Sequence, residues 1–366
     1  MADAPTTPAT SATPAAPSLA ELGGWPGVLG ALTKRRDLTP VEARAAMAEI
    51  LAGDATPSQV AGFIVALRMK GETTGEMGGM LDAMLAASET VVLPTLDGVV
   101  DIVGTGGDGS HSINVSTLAA IVVAGSGGQV CKHGNRAASS SCGSADLLEA
   151  LGVVIDLGPE GVARCVAEAG IGFCFAPRYH ASMRHAGPTR RELGVPTVFN
   201  ILGPLANPAR VRRYVVGVGD PTMAERMAEV LLQHGAERAF VVHGGDGLDE
   251  ITITTTSNVI EVVDGDVRPL TVDPLAYGLG PARLEDLRGG DPATNARLAH
   301  AVLAGDRGPH RDIVVLNAAA GLVASGRAVD YDAGIAVALE SLDTGAAAQA
   351  LERLVTTSVA ARTEGL

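Results

Sequence analysis

The chain has 366 residues, enough for two domains at roughly 150 residues each, and its 46% hydrophobic and 19% charged composition excludes a disordered polymer. A formal net charge of −14, with one tryptophan, four tyrosines and five phenylalanines, argues against nucleic-acid binding, which needs a basic surface or stacking platforms. No uninterrupted apolar run approaches the roughly 18–20 residues of a membrane span, so no membrane partner is expected. After Met1, residues 2–18 are Ala, Pro, Thr and Ser with one Asp. They lack the basic start and apolar block of a signal peptide, and residues 1–19 are expected to form a disordered tail. Cys131, Cys142, Cys165 and Cys174 show no zinc spacing, which fits reduced thiols and a cytoplasmic location.

Residues 20–95 read as helical. Capping boxes stand at Thr39–Glu42, Thr56–Gln59 and Thr73–Glu76, the first two with proline at the first helical position. Ala43, Met47 and Ile50, then Val60, Phe63, Ile64 and Leu67, recur at helical spacing. From Val99 the pattern becomes α/β. Short β-rich runs (Val99–Val103, Gly172–Phe175, Tyr214–Val218, Phe240–His243) alternate with helical stretches such as Leu118–Ala124 and Asp146–Leu151. This predicts a mostly parallel central sheet. Density of β-branched residues rises over 251–272, where Asp264-Gly265 predicts a hairpin turn. The last hundred residues return to Ala/Leu-rich helices.

Two local clusters carry chemistry. The first begins at a strand end, Gly104-Thr-Gly-Gly-Asp-Gly109, whose glycines let backbone N–H groups face an anion. Asn114, Ser116 and Thr117 follow at the expected N-terminus of the next helix, where free N–H groups favour phosphate. There is no Walker Lys-Ser/Thr, and the dinucleotide-binding context is missing. The second cluster follows a strand expected to end at Val130-Cys131. Lys132, His133, Gly134, Asn135, Arg136, Ser139 and Ser140 there read as a phosphate clamp on a glycine-broken loop, with Ser144 opening the following helix. Between Ala176 and Arg213 stand seven arginines and one acid, Glu192, which suggests a basic lining that the net charge conceals.

Together GTGGDG, NVST, KHGNRAASS, HASMRHAGPTRREL, VFNILGPLANP and HGGDGLDEIT resemble the anthranilate phosphoribosyltransferase family over about residues 20–340. The resemblance implies a pentosyltransferase of tryptophan biosynthesis, moving the phosphoribosyl group of 5-phosphoribosyl-1-pyrophosphate onto the amine of anthranilate. It implies a small helical domain of residues 20–95 with a returning segment near 186–211. A larger α/β domain of 96–185 and 212–366 would bind the donor, with the active site between the two. The donor would be held by Gly104, Gly107, Asp108 and Ser112, and its pyrophosphate by Asn114, Ser116 and Thr117. Lys132 and Ser144 complete the donor contacts, and Gly134 is a further substrate-binding residue. Anthranilate would meet Asn135 and Arg190, with His133, Pro177 and His180 lining its channel; His133 and Arg190 are the catalytic candidates. The implied cofactor is Mg²⁺, on Ser116, Asp249 and Glu250, whose paired hard oxygens suit it. Whether His133, a second anthranilate or water takes the amine proton stays open. A homodimer through the helical domain is implied. The alternatives are a pyrimidine nucleoside phosphorylase of the same architecture and a non-catalytic phosphate-binding protein. Ser112 stands where a threonine is common, and Thr189 where an apolar residue is usual.

Overall fold

The computed structural model describes residues 17–137 and 141–366. The expected tail, apart from its last residues, and Ser139 and Ser140 of the expected clamp lie outside the described residues.

Four helices follow one another at the start: α1 (Gly24–Thr33), α2 (Pro40–Ala52), α3 (Pro57–Lys70) and α4 (Thr74–Ala86). All three capping boxes form. At the first, the Glu42 N–H donates to Thr39 Oγ1 at 3.2 Å while the Thr39 N–H donates to Glu42 Oε2 at 2.8 Å. Such a box satisfies two amide groups that the first helical turn leaves without partners. Helices α2 and α4 approach until a Cβ on Gly79 would lie 2.1 Å from the Pro40 carbonyl oxygen, so only glycine fits there. Trp25 meets the edge of Phe63 at 6.0 Å between ring centroids, and its indole N–H donates to Glu49 Oε2 at 2.8 Å.

The rest is built on a seven-stranded sheet in the order β3-β2-β1-β4-β5-β6-β7. Its strands are β1 (Val99–Gly104), β2 (Gln129–Gly134), β3 (Ile171–Phe175), β4 (Arg213–Gly217), β5 (Arg238–Gly244), β6 (Ser257–Val263) and β7 (Asp266–Val272). The first five run parallel; β6 and β7 return antiparallel around Asp264 (φ 54°) and Gly265 (φ 80°). Two successive positive φ values belong to a type I′ hairpin turn, as the Asp-Gly pair predicts. Helices cover the parallel strands: α5 (Val115–Gly125), α6 (Ser144–Ala150), α7 (Pro159–Ala169) and the almost wholly buried Pro309–Ala324. No described helix is long and apolar enough to cross a membrane.

One expectation needs correcting. β2 does not stop at Cys131 but runs through Lys132 and His133 to Gly134. Ladder pairing with β3 carries it on, Lys132 opposite Phe173 and His133 opposite Cys174, which two polar residues at a strand end do not advertise.

The chain crosses between the helical and α/β parts first at residues 87–98, then in a returning strap after β3. In the strap, helix Gly187–Leu193 packs on α3 and helix Val198–Leu202 on α4. The two crossings touch: the Glu89 N–H donates to the Tyr179 carbonyl at 3.0 Å, and the Val91 N–H to the Pro208 carbonyl at 3.2 Å.

Candidate active site

Strand order reverses at β1, where one connection leads toward β2 and the other half of the sheet begins at β4. Ligands of open α/β sheets bind at such a switch point, beyond the carboxyl ends of the strands. A cleft of about 370 Å³ lies there, lined by the 103–117 and 132–137 segments, Cys142–Ser144, Ala176, Arg190, parts of the strap, Asp249 and Glu250.

The floor of the cleft is the loop after β1. Gly106, Gly107 and Gly109 all have φ between 66° and 78°, a left-handed path that turns the backbone around the space above the strand ends. Asp108 braces it by accepting from the Ser110 N–H at 3.1 Å and the Ser110 hydroxyl at 2.9 Å. Helix α5 then starts at Val115 with Asn114 as its N-cap, but the Asn114 side chain does not cap. Its amide donates to the Cys142 carbonyl at 3.0 Å and accepts from Asn295 Nδ2 at 2.8 Å. In the first turn of α5 the Val115 N–H donates to the Ile113 carbonyl at 2.8 Å instead. The Thr117 hydroxyl, buried in this turn, has no hydrogen-bond partner among the described residues.

Asp249 and Glu250 arrive from the turn after β5 and lie directly on the ends of β1 and β4. A Cβ on Gly104 would be 2.5 Å from Asp249 Oδ2, and one on Gly217 would be 1.6 Å from the Asp249 carbonyl oxygen. The Gly106 N–H donates to Asp249 Oδ2 at 2.7 Å, and the Ser116 N–H to Glu250 Oε1 at 3.1 Å. Buried Asn317 holds the next residue, accepting from the Ile251 N–H at 3.0 Å and donating to its carbonyl at 2.8 Å. Burial, with the nearby charge of Asp108, pushes the Asp249 carboxyl up to about 7. Burial and the charge of Asp249 push Glu250 up as well. Lys132, 1% exposed, donates to the Ile102 carbonyl and, at 3.3 Å, to Ser116 Oγ. Its pKa is lowered by burial, against the pull of Asp101, Glu250 and Asp249.

This is a buried acidic pair with one ammonium beside it, a donor set that a divalent cation would relieve. Among the described residues no three His, Cys, Asp or Glu side chains cluster to form a metal cage. Two carboxylates and a hydroxyl fit Mg²⁺ nonetheless, since that ion keeps waters and takes phosphate oxygens.

The other end of the cleft differs. The Arg190 guanidinium stacks 4.9 Å above the Phe199 ring and donates to Asn200 Oδ1 at a long 3.4 Å. Burial alone perturbs it, lowering its pKa, and no ion pair holds it among the described residues. It is a cation left available for a ligand anion. Asn135 lines the wall; its Oδ1 accepts from the Arg136 N–H at 2.7 Å and its carbonyl from Ser144 Oγ at 3.2 Å. A Cβ on Gly134 would sit 2.4 Å from Ser144 Oγ, so glycine brings β2 and α6 together. His133 is buried, neutral because burial and His180 drive its pKa well down, and its Nε2 has no partner among the described residues. Ser112 lies in the lining, its N–H donating to Ser110 Oγ at 3.2 Å.

Not every expected residue reaches the cleft. His180 lies behind its wall, ring centroid 5.1 Å from that of His133 and Nε2 2.9 Å from the Ala206 carbonyl. Pro177 is exposed; its neighbour Ala176 is the lining residue. Arg136 lines the cleft but is tied down by Asp146 (2.9 Å) and Glu149 (3.0 Å) on α6, so it is a brace for that helix rather than a free clamp. The basic stretch also disperses. Arg178 faces Glu89 and Asp156, Arg212 and Arg213 pair with Glu237, and Arg210 reaches the Leu85 carbonyl. Arg190 is the arginine of that stretch that lines the cleft. Sequence reasoning overlooked Asn295, Asn317, Asp101 and Asn207. A lone polar residue inside an apolar run, as in Val-Val-Asp101-Ile-Val, is the signal that marks the third.

A glycine nest, an acidic pair and a separate cationic end stand in a cleft whose fold is that of a glycosyltransferase. The glycosyl transferase family models match accordingly, the helical bundle domain over residues 26–88 and the a/b domain over 96–348. Anthranilate phosphoribosyltransferase of Rhodococcus jostii is 53% identical over 335 residues, 90% of this chain and 92% of the relative. The crystal structure of the Thermus thermophilus enzyme superposes with a TM-score of 0.86 at 44% identity, covering 90% of this chain and 99% of that one. The Saccharomyces cerevisiae enzyme in complex with PRPP and Mg gives 0.84 at 30% identity, covering 92% and 98%. The chain belongs to the anthranilate phosphoribosyltransferases.

Proposed function

We propose that the glycine nest and the first turn of α5 hold 5-phosphoribosyl-1-pyrophosphate while Arg190 and Asn135 hold anthranilate at the opposite end of the same cleft. The activity is phosphoribosyl transfer to anthranilate, a step of tryptophan biosynthesis. The observation that carries the assignment of ends is the separation of charges. The acidic pair Asp249 and Glu250 sits over the β1 and β4 ends, and the unpaired guanidinium sits on the strap side.

Ser116, Asp249 and Glu250 would hold Mg²⁺, which supplies charge neutralisation to the departing pyrophosphate. Lys132 adds a second fixed positive charge beside Ser116. Gly104, Gly107, Asp108, Ser112, Asn114, Thr117, Gly134 and Ser144 shape the donor pocket. Arg190 orients the anthranilate carboxylate by a charge-assisted bond, which places the weakly basic amine toward the anomeric carbon. Departure of pyrophosphate develops positive charge on the ribose and negative charge on the leaving group, so catalysis is positioning and preorganised electrostatics rather than a protein nucleophile. His133 enters this scheme as a neutral imidazole with a free Nε2, available to accept a proton. His180 supports that wall from behind. The helical unit (20–95 with 186–211) closes against the α/β unit (96–185 with 212–366) around the donor, in a cytoplasmic homodimer formed through the helical unit.

Mixing the protein with Mg²⁺, the donor and anthranilate should quench anthranilate fluorescence with release of pyrophosphate. Absence of turnover, with phosphorolysis of thymidine or uridine instead, would establish the nucleoside phosphorylase reading.

A further inference from the structure

The β1–β2 ladder stops short of the site. β1 pairs with β4 from Val100↔Arg213 to Gly104↔Gly217, but its register with β2 ends at Val100↔Val130. Beyond that point the backbone groups of β1 and β2 that face each other need other partners, since buried peptide groups are rarely left unpaired.

Two side chains supply them. Asp101, fully buried in β1, accepts the His133 N–H on Oδ1 at 3.1 Å. Asn207, fully buried in the strap, donates through Nδ2 to Asp101 Oδ2 and to the Cys131 carbonyl, both at 2.8 Å. Its own Oδ1 accepts from the Ala209 N–H at 2.9 Å. Asn207 thus bridges β1 and β2 as a wedge, both its N–H donors used within the protein. It joins three things: β1, the backbone of β2 on either side of Lys132, and the strap carrying Asn200, Gly203 and Pro204 into the cleft.

We propose that the Asp101–Asn207 pair is a positioning element for the acceptor half of the site. It sets where the strap and His133 stand relative to the donor, and it touches neither substrate. Donor groups keep hydrogen bonds of their own outside the pair, Lys132 to Ile102 and Ser116, Asp249 to Gly106, Glu250 to Ser116, although Lys132 is also drawn by the Asp101 charge. Loss of the wedge therefore lets the strap and His133 shift while the donor pocket stays formed. A small displacement at an attacking group is enough to reduce rate sharply. The inference rests on the acceptor and donor ends assigned above.

Asn207→Asp removes the donor amide and opposes two carboxylates. It should lower kcat/KM for anthranilate about tenfold or more, with the calorimetric Kd for the Mg²⁺–donor complex held within about twofold. The double swap Asp101→Asn with Asn207→Asp restores one donor–acceptor pair in reversed polarity and should recover much of the loss. If Asn207→Asp does not fold, Asn207→Ser, neutral and able to reach only one of the two partners, carries the same measurement. A folded variant with unchanged kcat/KM for anthranilate overturns the proposal. So does an equal loss toward both substrates that the double swap leaves unrepaired, because that is the behaviour of a merely structural contact. Lack of turnover in the unaltered protein would instead refute the functional reading itself.

Discussion

Arg190 is set apart by being half-buried without an acidic partner. Arg178, Arg212 and Arg213 of the same stretch are spent on Glu89, Asp156 and Glu237, whereas its guanidinium is stacked on Phe199 and desolvated. A bond to a charged group contributes roughly 1.5–3 kcal/mol. Arg190→Ala should accordingly raise the Michaelis constant for anthranilate about 10- to 100-fold and leave donor affinity largely intact; steady-state kinetics with each substrate varied in turn distinguishes the two. The contrast also shows where sequence reading works for a site. Residue types and their order pointed to the glycine loop on the cleft floor, because a glycine turn followed by a helix start is a local arrangement. Seven arginines in a row of 38 residues did not indicate a basic lining, because neighbours along a strap face different partners. Asp101 and Asn207 lie 106 residues apart, and their contact has no local signature beyond one acid in an apolar strand.

At the scale of elements, capped helices were the most legible part, since a capping box is decided within four residues. Strand limits were less so: the polar end of β2 is held by ladder bonds to β3 that only the assembled sheet supplies. The same tertiary control governs the ends of β1 and β4, where the acidic turn rests on bare backbone. Gly217 has ordinary φ, so its requirement for glycine is purely one of space, with the Asp249 carbonyl 1.6 Å from where a Cβ would stand. Gly217→Ala must push the turn away from the cleft. It should cost about 1–3 kcal/mol in chemical denaturation and reduce turnover at limiting Mg²⁺ far more than at saturation. Gly30→Ala in α1, where a methyl meets nothing within 4 Å, is the control and should stabilise by roughly 0.5–1 kcal/mol.

For the molecule as a whole, charge balance within the cleft matters more than the net −14. Arg136 is matched by Asp146 and Glu149 on α6, which leaves Lys132 and Arg190 beside Asp108, Asp249 and Glu250, so a polyanionic donor gains little from the bare protein and is better received with its cation. The buried acids also leave a mark on stability. Folded Asp249 titrates near 7, whereas an unfolded aspartate does so near 3.8. Between those values the folded state holds a proton that the unfolded state has released, so stability falls as pH rises through that window. Asp249→Asn mimics the protonated form and should raise the melting temperature of the metal-free protein at pH 8, by roughly 2 °C per kcal/mol relieved. It should also flatten the decline between pH 4 and 7, and weaken the stabilisation conferred by Mg²⁺ with the donor. Calorimetric scans across pH, with and without both, measure all three. Finally, the single tryptophan gives the two halves of the chain different voices. Trp25 is packed between α2 and α3 through Glu49 and Phe63, and no second tryptophan stands in the α/β part. Its emission follows melting of the helical part alone, while far-ultraviolet dichroism follows every helix and strand. Any gap between the two transition midpoints therefore measures how strongly the strap makes the halves unfold as one.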